Sequence, residues 1–307
     1  MHMESPKNWQ RAELLIFSIV TILNMVPFVS TRFFPSMDGA SHLVNSNIIN
    51  QLFFHNNTLF HQFFMINPEP VPNWTAHLLI SLLTLIMPAF LAEKILLIIL
   101  LGGIPLVFRA VIHTISPKDT IYSFLVFPFT HSMFLFFGFF NFSIGILFFL
   151  VTLNFWLHHY KTAFTVHNTL ILTLLVAATY FSHIVIFGIL LIVIALHIKT
   201  KAASDLLCRK ERPRVVLLKF VRKAAALTIA SIIPIALFAW FFYTRPGTRE
   251  IRFIPRGELL GYLATIRPLI SLNPVEEGRY TSLLFYLFVL VFMAGMITLA
   301  VRRLQHK

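Results

Sequence analysis

Apolar residues run through this chain in long unbroken stretches separated by short polar and charged clusters. A helix that crosses a hydrocarbon core of roughly 30 Å needs about 20 such residues in a row. Stretches close to that length cover Ala12 to Ser30, Ile95 to Ile112, Thr120 to Phe137, Phe140 to Leu157, Ala225 to Tyr243 and Ser282 to Val301, and each predicts a membrane span. Two further stretches are ambiguous by length. Trp74 to Ala92 is interrupted by Pro88, and Leu170 to Ile198 exceeds one ordinary span and carries Ser182 and His183 at its middle. The first stretch follows Lys7 and Arg11 as a signal peptide would, but no small-residue cleavage site closes it, so a retained first helix is expected.

Lys and Arg collect in the cytoplasmic loops of membrane proteins. The basic stretch Lys199 to Lys223, whose acids are Asp205 and Glu211, is therefore expected in the cytoplasm, together with the N-terminus and the tail Arg302-Arg303. If Trp74 to Ala92 crossed and Leu170 to Ile198 were one helix, Arg109, Lys118 and Lys161 would fall outside. If Trp74 to Ala92 returns to the outer side and Leu170 to Ile198 is a hairpin turning at Ser182-His183, those three charges move inside and only Lys94 is misplaced. The second topology is the expected one. It gives a long outer loop over residues 31–94, a short outer turn at Gly138 to Asn141, an outer turn at His183, and a second outer loop from Thr244 to Thr281.

Composition agrees with the pattern: 57% of the residues are hydrophobic, 12% are charged and 34 are Phe, too little polar surface to cover a water-soluble globule. The expected class is an all-α polytopic helical membrane protein. The formal net charge of +13 lies in juxtamembrane loops, where topology and anionic lipid headgroups account for it, so it does not mark a nucleic-acid partner. A single cysteine, Cys208, excludes internal disulfides.

Ionisable side chains beside a helical bundle are candidates for function. Asp38 lies just past the first span, and its carboxylate suits general-base work; as an ordinary residue it would cap the helix that starts near Gly39. His42 follows one helical turn later and faces the same way if the segment is helical. His183 sits between two short apolar helices, and His77 lies in the first outer loop. The second outer loop carries Arg245, Arg249, Arg252, Arg256, Arg267 and Arg279 and no Lys. Guanidinium forks bind phosphate bidentately, which gives an outer all-Arg loop a chemical reason; salt bridges to Glu250, Glu258, Glu276 and Glu277 are the structural alternative. The cytoplasmic basic stretch reads as a topology determinant in contact with anionic lipid. No His, Cys or carboxylate spacing matches a metal-ligand motif, which leaves the cofactor requirement open.

Several of these segments resemble a known superfamily. Phe34-Pro-Ser-Met-Asp38-Gly-Ala-Ser-His42, followed by Leu43 to Ile49, is similar to the first-loop acidic motif and first juxtamembrane helix of the C-type (GT-C fold) integral membrane glycosyltransferases. Val71-Pro-Asn-Trp74-Thr-Ala-His77 is similar to the proline, aromatic and apolar-helix sequence that closes that loop. Phe139-Phe-Asn141-Phe-Ser-Ile-Gly145 stands where many members carry a second acid, and Tyr180-Phe-Ser-His183 where relatives turn beside the active site. The resemblance covers about residues 10–245. It implies a GT-C-like module over 1–245, with 246–307 supplying the second outer loop and a final span.

It also implies transfer of a sugar from a polyprenyl-phosphate-linked donor to a lipid, glycan or protein acceptor on the extracytoplasmic face. Asp38 would then be the catalytic base or a metal contact, with His42 and His183 as further catalytic residues. Asn141, His77, Arg245, Arg249, Arg252 and Arg256 would hold substrate. The chain departs from the pattern at Gly39, where members often have a second adjacent acid, and at neutral Asn141, and members usually run longer than 307 residues, so a fragment, or a minimal or inactive relative, is expected. Two other functions share the topology: a lipid-linked-sugar transporter or flippase, which predicts a polar path through the bilayer, and a structural membrane subunit.

Overall fold

A computed structural model describes residues 7–162, 164–208, 211–244 and 253–305, and among these it contains helices and no strands. The first helix, α1 (Lys7–Val29), leads to a segment that holds α2 (Gly39–Phe53), α3 (Thr58–Phe63) and α4 (Thr75–Thr84) before α5 (Ala89–Ile115). Then come a 3-10 turn (Thr120–Val126), α6 (Phe127–Thr130), α7 (Met133–Phe136), α8 (Phe140–His159), α9 (Val166–Ser182), α10 (Ile184–Leu207), α11 (Pro213–Thr244), α12 (Arg256–Ala264) and α13 (Pro274–Gln305). Six of the described helices are long and apolar enough to cross a membrane: α1, α5, α8, α10, α11 and α13. The protein is an all-α, multi-pass membrane protein.

Two ends of the bundle can be followed through their contacts. At one, Arg109 on α5 forms a bidentate salt bridge to Glu13 on α1, at 2.5 and 2.6 Å. At the other, the backbone N–H groups of Met37 and Asp38 donate to the carbonyls of Phe136 and Phe137. The expected span Thr120 to Phe137 runs between these ends, but not as a helix. Thr120 and Ser123 lie at Glu13 and Arg109, Thr130 and His131 bond Asn24, and Phe136 reaches Met37, so the segment shadows α1 from end to end as one 3-10 turn and two single-turn helices. Pro128 within it has no amide hydrogen to give, and Ser132 caps the next turn through its side chain.

The expected start of the second span is also corrected. Pro88 in extended conformation launches α5 at Ala89, so Glu93 and Lys94 belong to the helix and the first loop ends at Pro88. α4 is ten residues, about 15 Å long. It begins where Ala76 N–H meets Asn141 and ends at the turn that starts α5, so both its ends lie at the Asp38 end.

His183 alone, with φ −160° and ψ 124°, separates α9 from α10. The chain reverses there: Thr169 near the start of α9 and Lys201 near the end of α10 line one cavity, and Trp156 at the far end of α8 donates to His197 Nδ1 at 3.1 Å. Trp156, Leu172, Val176, Tyr180, Leu190 and Ile194 are buried together between these helices. A second core joins α4, α5 and α8 through Ala76, Ile80, Leu97, Leu100, Phe140 and Ile144.

Candidate functional site

The site is built on a backbone crossing. Gly138 adopts φ +78°, and a Cβ there would stand 2.7 Å from the Gly39 nitrogen and 2.9 Å from that of Asp38. Only glycine accepts both the left-handed conformation and the close approach. At Gly39 a Cβ would meet the side-chain ends Ser36 Oγ and Glu93 Oε1, a weaker restriction because side chains, unlike backbone, can shift. The two glycines press the turn before α8 against the start of α2, which fixes Asp38.

The carboxylate of Asp38 is exposed and makes no capping hydrogen bond to α2; Ser36 Oγ accepts from Gly39 N–H at 3.1 Å instead. The capping role expected of Asp38 on structural grounds is thus taken by Ser36. One turn on, His42 is buried with its ring between His77 and Phe140, at centroid separations of 4.5 and 5.1 Å. His42 Nδ1 and His77 Nδ1 are 3.4 Å apart, so one ring donates and the other, which must be neutral, accepts; two imidazolium rings could not make this contact. Burial pushes His42 down from the ordinary imidazole value, against the smaller upward pulls of the Gly138 backbone and the Asp38 charge. Burial likewise pushes His77 down to about 4, helped by the neighbouring His42.

Asn141, also buried, ties α8 to the start of α4: its Oδ1 accepts from Ala76 N–H at 2.7 Å and its Nδ2 donates to the Asn73 carbonyl at 2.8 Å. Next to it, Ser182 donates to Thr75 at 3.0 Å, and Trp74 N–H donates to the Phe181 carbonyl. His183 packs edge-on against Phe142, and its Nδ1 is buried without a hydrogen-bond partner. Such an orphan costs roughly 1 to 3 kcal/mol and calls for an explanation. Asp38, His42, His77, Asn141 and His183 therefore occupy one end of the bundle. Within that end, His42 and His77 touch, Asn141 joins them through α4, and His183 stands across Phe142. A cavity of about 360 Å3 beside them is lined by His77, Trp74 and Asn45, among others, and by neither Asp38 nor His183.

Arg245, Arg249 and Arg252 lie outside the described residues. Arg256 opens α12, which packs on α13 and on the short 3-10 turn Arg267–Leu269. That turn in its own right packs on α6 and α7, so Arg267 lies on an element that adjoins the Asp38 end, where Arg32, over the rings of Phe33 and Phe90, is also found. Glu93 is not among the residues the sequence singles out. It is 3% exposed and its Oε1 lies against Gly39; its charge falls before the apolar stretch that begins at Ile95, whereas the helix itself already begins at Ala89. Among the described residues no three His, Cys, Asp or Glu side chains converge where a metal ion would bind. Comparisons with protein families, with curated proteins and with solved structures each find no match to this chain.

Proposed function

We propose that the chain is a membrane glycosyltransferase of the C-type, moving a sugar from a polyprenyl-phosphate-linked donor to a lipid, glycan or protein acceptor at the Asp38 end, on the extracytoplasmic face. The observation that carries this reading is the state of Asp38: an exposed carboxylate, released from capping, held by the Gly138 crossing one turn from a buried pair of neutral imidazoles. In the proposed reaction the Asp38 carboxylate takes the proton of the acceptor hydroxyl. The acceptor oxygen bonds to the anomeric carbon, and the bond from that carbon to the polyprenyl phosphate breaks with its electron pair leaving on the phosphate. His42 N–H donates to the Asp38 carbonyl and so helps place the base, His77 presents its imidazole to the neighbouring cavity, and His183, with its Nδ1 buried, backs the site through Phe142. Arg267 and the neighbouring loop arginines would offset the phosphate charge.

Polar groups deeper in the bundle support this reading over a transporter, because they are paired with one another: Asn24 with the Leu101 carbonyl and Thr130, Thr114 with Asn154, Thr152 with Thr179. The test is sugar transfer from a polyprenyl-phosphate sugar by the protein in liposomes. Asp38→Asn is nearly isosteric, and activity is expected to fall by about 100-fold or more, the usual worth of a general base, while insertion and melting are unchanged. Undiminished transfer by Asp38→Asn would remove the catalytic role.

A further inference from the structure

The opposite end of the bundle holds a cavity of about 860 Å3, bordered by the α8–α9 turn, the end of α10 and the first turns of α11. Its wall along α11 is graded. Val216 and Phe220 are interleaved with Lys219, Arg222 and Lys223 along the first turns, and from Ala225 through Ala226 to Ile229 the lining is apolar only, so over about 15 Å of helix from Lys219 the wall loses its cations. Phe164 from the facing turn adds to the apolar part.

The charges at its mouth do not cancel. Lys201 pairs with Asp205 at 3.1 Å and Lys219 pairs with Glu211, which uses up both acids that line the cavity. Lys161 and Arg222, both exposed, enter no ion pair among the described residues. Lys223 is 9% exposed and donates to the carbonyl of Thr162, with its ammonium over the rings of Tyr160 and Phe164 at 5.0 and 4.8 Å. Its amine pins the α8–α9 turn to α11, and its charge remains unmatched. The opposing group is Glu211, whose Oε2 has no partner, but the Lys219 ammonium bound to its other oxygen offsets it.

A cavity at a helix-bundle end with surplus cations at the rim and an apolar wall running inward matches an amphiphile with an anionic head. We infer that this cavity binds the phosphate headgroup of an anionic membrane lipid, with Lys161 and Arg222 contacting the phosphate and an acyl chain lying along Ala225, Ala226 and Ile229. Lys223 acts as a positioning residue that keeps the cavity open. This site lies at the far end from Asp38 and does not depend on the sugar-transfer reading.

The test is titration of phosphatidylglycerol into the full chain in neutral detergent micelles, with bound lipid read by native mass spectrometry. Each basic side chain near an anionic headgroup is worth a factor of about five, so Lys161→Gln and Arg222→Gln should each weaken binding by that factor and the double variant by about thirtyfold. Lys118→Gln, an exposed lysine at the same end but outside the cavity, should change it less than twofold. Lys161→Arg with Arg222→Lys keeps the charge and should retain binding. Wild type that binds phosphatidylglycerol no better than phosphatidylcholine, or a Lys118→Gln loss equal to that at Lys161, would overturn the assignment. So would inorganic phosphate alone displacing the lipid at millimolar concentration, which would make the site one for free phosphate.

Discussion

His77 offers the clearest residue-level consequence. Its imidazole stays neutral down to about pH 4 in the folded protein, whereas in the unfolded chain it takes up a proton near pH 6.5. Below that value the unfolded state binds more protons than the native one, so stability must fall as pH falls. The contribution is complete above about pH 6.5 and is lost progressively toward pH 4, with His42 acting in the same direction. Between about pH 6.5 and 5 ordinary carboxylates scarcely titrate, so the decline there reports histidines, and the comparison with a His77 variant separates out the share of His77. The melting temperature in detergent should decline across that window, and His77→Gln should flatten the decline; an unchanged slope in the variant would mean that the pair is not buried as described. Asp38 and His42 were legible as a pair from their four-residue spacing alone. The partner of His42 was not, because His77 arrives from 35 residues away and only the packing of α4 on α2 brings the rings together.

Elements were legible where hydrophobic length decided them and illegible where backbone irregularity did. The break between α9 and α10 could be read from Ser182-His183 inside an overlong apolar stretch, and the structure turns at that residue. Thr120 to Phe137 has the length of a span and crosses between the two ends, yet composition gives no sign that it does so as a 3-10 turn and two short helices; its packing against Asn24 and Phe28 on α1 substitutes for the missing regular hydrogen bonds. The Gly138 turn belongs to the same irregular segment. Gly138→Ala forces an L-residue into the left-handed region with its Cβ under 3 Å from the backbone of Asp38 and Gly39, and should cost about 1 to 3 kcal/mol of stability. Because the strain falls on Asp38 itself, transfer should drop further than stability does. Thermal melting and transfer measured on one preparation check both.

The whole molecule is held in register by groups at its two ends. At the end away from Asp38, Glu13 and Arg109 are 5% and 15% exposed and are joined bidentately, with the guanidinium stacked on Phe17 at 4.8 Å. Arg109→Met leaves a buried carboxylate without its partner and should cost about 3 to 5 kcal/mol, and adding Glu13→Leu should recover most of the loss; melting of both variants in detergent distinguishes this from an unpaired surface bridge. That pair ties α1 to α5 and so fixes how the chain enters the segment that carries Asp38. In the proposed function the Asp38 end recognises a lipid-phosphate-linked sugar, and Asp38 acts after it is bound. Direct titration of a polyprenyl-phosphate sugar into wild type and Asp38→Asn tests it. Both proteins should bind the donor with affinities within a few-fold of each other, while only wild type transfers the sugar. No donor binding by the wild type would contradict the proposed sugar transfer and leave a structural membrane subunit in its place.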